Sequence, residues 1–269
     1  MTREELFQKF DRRASLIKPD SKILLLTHND LDGEGPALML KSNFNNIEVK
    51  HCSNGTMDND ILYAATNRIN EFDYIFITDI SCSKDTADLI AADPKIARKI
   101  FLLDHHSTAM YLNNYSFAIE CANNPENSFT NKFYEGKDTL GLSCGTSLML
   151  DFLYNYNLIE PKENLEHLAF NIETYDTWDW VNVFDKMEFP RNLNKLYELY
   201  GLEYFENRAL DELKTNKATF EFNDTDKLLL ELPKNILLEN IICFLVRTNS
   251  KITKREIARM IPSYFLYYI

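Results

Sequence analysis

Apolar positions fall into two rhythms along this chain. Short, nearly unbroken runs occur at Ile23 to Leu26 in "SKILLLTHND", in "IEVKHC", in "DYIFITDIS" ending at Asp79, and in "KIFLLDHHST" ending at Asp104. "YSFAIECA" is a fifth candidate of the same kind. Between them lie stretches with apolar residues at helical spacing, among them "NDILYAATNRINEF" and "SKDTADLIAADP". Buried strands alternating with helices of about ten to fifteen residues predict βαβ units and a parallel sheet covered on both faces. After the first strand, two glycines and Pro36 precede a helical pattern, so a tight loop and then a helix are expected, with Pro36 in the first helical turn.

The flanks read differently. The first twenty residues have the pattern of an amphipathic helix closed by Pro19. An Asn-rich loop, "ECANNPENSFTNKFYEGKDTLGLSCG", leads to two further helices, "TSLMLDFLYNYNL" and "PKENLEHLAFNIETY", the second entering "DTWDW". From about Pro190 the chain turns to Leu, Glu, Asn and Lys and reads as mostly helical. The expected fold class is α/β: a doubly wound, mainly parallel sheet in residues 1–185, followed by a smaller helical region in residues 186–269.

With 269 residues, 45% of them hydrophobic and 26% charged, the chain can bury a full core. A formal net charge of −12 argues against a duplex-binding face, which must be basic. It leaves room for a small anionic ligand if bound cations reverse the local sign. The five cysteines form no C-x-x-C pair, so neither a disulfide framework nor a thiolate zinc site is expected, and a reducing cytoplasmic setting is. A charged N-terminal segment gives no signal-peptide pattern, and no run reaches the roughly 20 apolar residues of a membrane span.

The chemistry concentrates where the apolar runs stop. The first ends in "THNDLDGEG" with His28, Asp30 and Asp32, the third in "ITDIS" with Asp79, and the fourth in "LLDHHST" with Asp104, His105 and His106. Strand carboxyl ends share one edge of an open parallel sheet, and ligands bind there. Alternate residues of an extended segment face one way, which lets His28, Asp30 and Asp32 project together. Several carboxylates cannot crowd together unpaired, and few Lys or Arg lie near these motifs, so divalent cations are the economical counter-charge. Imidazole and carboxylate ligands without thiolate point to Mn²⁺, Mg²⁺, Zn²⁺ or Fe²⁺. This many ligands favours two ions, which about 3.5–4 Å apart can clamp a phosphoryl oxygen and activate a water. An isolated Asp at a strand end is commonly a cap or turn residue; the conjunction, in this order, is what carries weight. His51 and His167 receive no role.

That order of motifs resembles the DHH phosphoesterase superfamily over roughly Ser21 to Trp180, with "ETYDTWDW" as a plausible fourth motif contributing Asp176. The resemblance implies a two-metal site, usually of Mn²⁺, and hydrolysis of phosphodiester or phosphoanhydride bonds. It implies His28, Asp30, Asp32, Asp79, His105 and Asp176 as metal ligands, with Asp79 bridging. His106 would meet the substrate phosphate, and Asp104 would be either a ligand or the acceptor that orients an imidazole. The wording is most like the oligoribonuclease and cyclic-nucleotide phosphodiesterase branch, which implies short oligonucleotides or small nucleotides as substrate. Single-strand exonucleases and pyrophosphatases of the superfamily are the alternatives, as is a metal-dependent nucleotide-binding regulator with little turnover. A homodimer is compatible with any of these.

One departure is plain. Family members usually carry a second domain with a glycine-rich substrate-gripping stretch, whereas this chain has seven glycines, no adjacent pair, and only Gly201 after Pro190. Residues 186–269 therefore read as a helical linker and a shortened or diverged cap. Arg191, Lys195, Arg208, Lys251, Lys254 and Arg255 are candidates to meet phosphates from that side, although charges on a helical surface are commonly just solvated. Trp178 and Trp180 either pack between neighbouring units, the commoner use, or stack on a base.

Overall fold

The computed structural model describes residues 7–120 and 142–231. A five-stranded, all-parallel sheet runs in the order β2-β1-β3-β4-β5, with β1 Lys22–His28, β2 Asn46–Cys52, β3 Tyr74–Thr78, β4 Ile100–Asp104 and β5 Ala118–Glu120. The α/β expectation holds. The chain winds outward from β1 to β2 and then, from β3, in the opposite direction, so the order reverses between β1 and β3. Ligands of such sheets bind beside that reversal, at the strands' carboxyl ends.

Period two explains the double burial. On β1, Ile23 and Leu25 face one cluster while Leu24 and Leu26 face another; β4 divides in the same way into Phe101 and Leu103 against Ile100 and Leu102. The first cluster holds an aromatic knot in which Phe10 and Phe152 meet Phe101 edge-on at centroid distances of 5.1 and 5.2 Å. Each such fully buried side chain contributes about 1.5–3 kcal/mol of transfer free energy. Strand β2 lies at the edge of the sheet, and its residues accordingly alternate between exposed and half-buried up to Cys52.

Helices α1 Leu31–Asn43, α2 Met57–Tyr63 and α3 Lys84–Ala92 connect the strands, and α4 Gly145–Asn155 and α5 Glu163–Asp176 follow the sheet. Then come α6 Glu188–Tyr200, α7 Leu202–Leu213 and α8 Asp224–Glu231, so the chain after Pro190 is helical as expected through Glu231. Leu193 and Leu196 of α6 and Phe205 and Ala209 of α7 join the same apolar cluster as Phe76 and Phe101 of the sheet. Among the described residues, no helix is long and apolar enough to cross a membrane. Much of the Asn-rich loop, the chain beyond Glu231, and Lys251, Lys254 and Arg255 lie outside the described residues.

Two local expectations need correction. The expected N-terminal helix is, from Gln8, a 3-10 turn followed by one α turn, Asp11–Ala14. The glycines after β1 form no loop: Asp30 caps α1 directly, its side chain accepting from the Gly33 N–H at 2.9 Å, so helix starts at Leu31. The glycines serve close packing instead. A Cβ on Gly33 would lie 2.1 Å from the His28 carbonyl oxygen, and one on Gly35 would lie 2.0 Å from Thr146 Oγ1. Pro36 thus falls in the second turn of the helix rather than the first. Its missing N–H would leave the Asp32 carbonyl unbonded within the helix, and the Thr146 hydroxyl donates to that carbonyl at 2.8 Å.

Candidate functional site

Register brings the motif residues level. Thr27 of β1 pairs with Thr78 of β3, and Thr78 with Leu103 of β4, so His28, Asp79 and Asp104 end neighbouring strands at the same height. Asp176, the last residue of α5, reaches the same rim. A cavity of about 250 Å³ opens there, lined by His28, Asp30, Asp79, His105, His106 and Asp176, with Asn54 and Ser81 on its wall. Asp32 and Asp104 are buried just behind it, at 3% and 0% exposure. The eight acid and imidazole residues of the four motifs are thus in one place.

Each is fixed by an identifiable partner. His28 Nδ1 lies 2.5 Å from Asp30 Oδ2 and 4.0 Å from Asp79 Oδ2. Asp32 is held by the start of α4, whose Gly145 and Thr146 N–H groups donate to its two oxygens at 2.6 and 2.8 Å. Helix N-terminal amides suit a carboxylate because they are otherwise unpaired and carry the positive end of the dipole. No sequence motif marked this clamp; the small residue at Gly145 was the available signal, since a Cβ there would lie 2.7 Å from Asp79 Cβ. His105 Nε2 stands 3.1 Å from Asp79 Oδ1, 3.6 Å from Asp32 Oδ2 and 3.8 Å from Asp176 Oδ2. His106 Nδ1 is 2.7 Å from Asp104 Oδ1.

Charge accumulates without basic relief. Asp79 is 4% exposed, sits in the left-handed region at φ 56°, and has one carboxylate oxygen, Oδ2, with no hydrogen-bond partner. Burial, and then Asp32, Asp30, Asp176 and Asp104, push its carboxyl well above the ordinary range. Burial, and then Asp32 and Asp30, raise Asp176 in the same way. Burial would also raise Asp30 and Asp104, but His28 and His106 respectively outweigh it and hold both below the usual value. The hydrogen bond that His106 donates to Asp104 carries the imidazole up to about 9, and the one that His28 donates to Asp30 raises His28. Behind them Glu120, 1% exposed and paired in register with Asp104, is pushed to about 10 by burial and then by Asp104. Glu120 belongs to no motif, and its position became legible only with the sheet register.

The donor set fits divalent cations. Ligand atoms of His28, Asp30 and Asp79 gather in one group, those of Asp32, His105 and Asp176 in a second, and those of Asp79, Asp104, His105 and His106 in a third. Asp79 and His105 are each shared between two groups. Oxygen and imidazole donors around an unpartnered buried carboxylate are the environment a hard or borderline cation favours.

No family model matches the chain. It is 28% identical over 211 residues to oligoribonuclease NrnB of Bacillus subtilis (strain 168), covering 77% of this chain and 49% of that protein. That similarity supports the resemblance to the DHH phosphoesterases, and to their oligoribonuclease branch, that the motifs carry. It spans about half the length of the curated relative it matches. The fold is also that of an uncharacterized protein from Helicobacter pylori G27 with a crystal structure, at a TM-score of 0.54 and 18% identity, covering 81% of this chain and 67% of that one. The acid and imidazole clusters could hold divalent metal ions.

Proposed function

We propose that this chain is a cytoplasmic two-metal phosphodiesterase that cleaves short oligoribonucleotides to mononucleotides, with residues 1–185 as the catalytic unit and 186–269 as its helical continuation. One observation carries the reading: Asp79, buried among four other aspartates, presents an unbonded oxygen where two ligand groups share it. The NrnB relative supports the substrate class.

In this reading His28, Asp30, Asp32, Asp79, His105 and Asp176 would hold the two ions, with Asp79 the ligand common to both and Mn²⁺ the expected metal. When bound, the ions supply charge stabilisation at the scissile phosphate and lower the pKa of an attacking water. The chain does the positioning. The α4 amides fix which Asp32 lone pairs face the cavity. Asp104 fixes the orientation of His106 and favours its protonated form, so the ring can donate from Nε2 to a phosphate oxygen as negative charge develops. Asp104, with no exposed surface, acts through His106 rather than on substrate.

The test is incubation of purified protein with Mn²⁺ and oligonucleotides of two to twenty residues, ribo and deoxy, together with cyclic dinucleotides, pAp and pyrophosphate. Mononucleotides released fastest from the shortest ribonucleotides, and not in EDTA, are expected. Binding of nucleotide with no release across the panel would overturn the enzymatic reading in favour of a regulator.

A further inference from the structure

The cavity has a base-recognition gap. Its walls carry imidazole, carboxylate and small polar groups with Met57 and Ile80, and among the described residues no Phe, Tyr or Trp, so it can meet a phosphate while offering a nucleobase no aromatic carbocycle or indole to stack on. Such rings belong to the segment around Asp176 of the cavity wall. Tyr175 stacks on Trp180 at a centroid distance of 6.0 Å and an interplanar angle of 16°, and Trp180 stacks on Trp178 at 6.3 Å and 28°. Trp178, the outermost ring, is 62% exposed, which is contrary to the packing role that is commoner for such a residue. Its Cα can lie no more than about 7.6 Å from that of Asp176, two residues before it.

The ledge is built rather than incidental. Trp178 occupies the left-handed region at φ 64°, an unfavourable conformation for a bulky residue that surrounding structure must impose. Its N–H bonds the Tyr175 carbonyl at 3.1 Å, and its own carbonyl accepts from Val181 and Asn182 at 3.1 Å each. Asn194 Nδ2 of α6 donates to the Tyr175 hydroxyl at 2.9 Å and fixes the inner ring. Trp178 thus combines a left-handed backbone with a solvent-exposed indole.

We propose that the Tyr175, Trp180 and Trp178 stack is the substrate's nucleobase platform, with the base adjoining the scissile phosphate lying on the open face of Trp178. The inference rests on the phosphodiesterase reading and names the part of the substrate that reading leaves unheld. Stacking on a π-face accepts any base, so it also implies little discrimination among base sequences.

Trp178 and Trp180 are the chain's two tryptophans, so its indole fluorescence reports on this ledge alone. In the full-length protein with Mn²⁺, titration with AMP is expected to quench the emission while ribose 5-phosphate leaves it unchanged. The Trp180→Phe variant, which isolates Trp178, retains the quenching. In kinetics, Trp178→Ala is expected to lower the ratio of kcat/KM for a diribonucleotide over its abasic counterpart roughly tenfold, and Trp178→Phe to restore most of it. Unchanged emission with AMP, emission already that of a buried indole in the free protein, or an unaltered selectivity ratio would overturn the platform. Absence of any hydrolysis by the wild type would instead overturn the enzymatic reading, and the quenching titration would still decide the ledge.

Discussion

At the carboxyl rim of the sheet, Asp30, Asp32, Asp79, Asp104 and Asp176 meet imidazoles and backbone amides, and among the described residues none of them pairs with a Lys or Arg. On α7 and α8 the same acidic chain behaves differently. Arg208 bonds both Asp226, at 2.8 Å, and Glu212, at 3.2 Å, while Lys217 meets Glu212 and Glu221 at 3.2 and 2.8 Å. Where its carboxylates are structural, the chain supplies the counter-charge itself. At the rim it supplies imidazoles to Asp30 and Asp104 but, among the described residues, no Lys or Arg, and compensation for Asp79 and Asp176 is left to come from outside. Arg208, offered by the sequence as a phosphate contact, is thereby committed to the first kind of region, and Lys195 Nζ is taken up by the Leu230 carbonyl at 2.7 Å.

The contrast can be broken most sharply at Asp79. Asp79→Asn is expected to lower Mn²⁺-dependent hydrolysis at least about a hundredfold and yet to raise the melting temperature of the metal-free protein. The sign follows from its raised carboxyl: stability is full below the unfolded value of 3.8 and declines as pH rises above it. A variant that melts lower without metal, or keeps wild-type Mn²⁺ affinity in calorimetry, would erase the distinction. On the other side, Arg208→Met takes the cationic partner from the buried Asp226, while Glu212 keeps Lys217, and should cost about 3 kcal/mol in urea denaturation, with Mn²⁺ affinity unaltered.

Smaller effects sharpen the boundary. Gly145→Ala pushes a methyl against Asp79, 2.7 Å from its Cβ. A loss of about 1–3 kcal/mol is expected, with weaker Mn²⁺ binding by titration. Glu120→Gln addresses the acid behind Asp104. Because its folded value of about 10 exceeds the unfolded 4.5, wild-type stability falls as pH rises between them. The amide should raise the melting temperature by a few degrees at pH 8 and leave it unaltered at pH 4. Lys214→Ala, removing an exposed pair with Asp211 at 3.0 Å, should change stability by less than about 0.5 kcal/mol.

How legible was all this beforehand? The strands were readable because burial on both faces demands unbroken apolar runs, as in "KILLL" and "IFLLD", and the site was readable because those runs stop at His28, Asp79 and Asp104. What escaped depends on contacts between distant segments. The glycines after β1 suggested a loop because composition reports conformational freedom and packing clearance with the same letter; Gly33 and Gly35 are there for clearance. The Asp32 clamp needs α4 to arrive from far along the chain, and Glu120 needs the β4 to β5 register. Neither leaves a local pattern. The left-handed turn at Trp178 was likewise hidden, since its residue type favours no such conformation.

The bonds from Gly145 and Thr146 to Asp32 join positions 113 and 114 residues apart. A nascent chain that has threaded β1, α1 and even β4 out of a ribosome therefore still lacks the amides that aim this aspartate. That aspartate is thus aimed only after all five described strands have been synthesised, so a truncated translation product would carry the acids of the rim without the clamp that orients one of them.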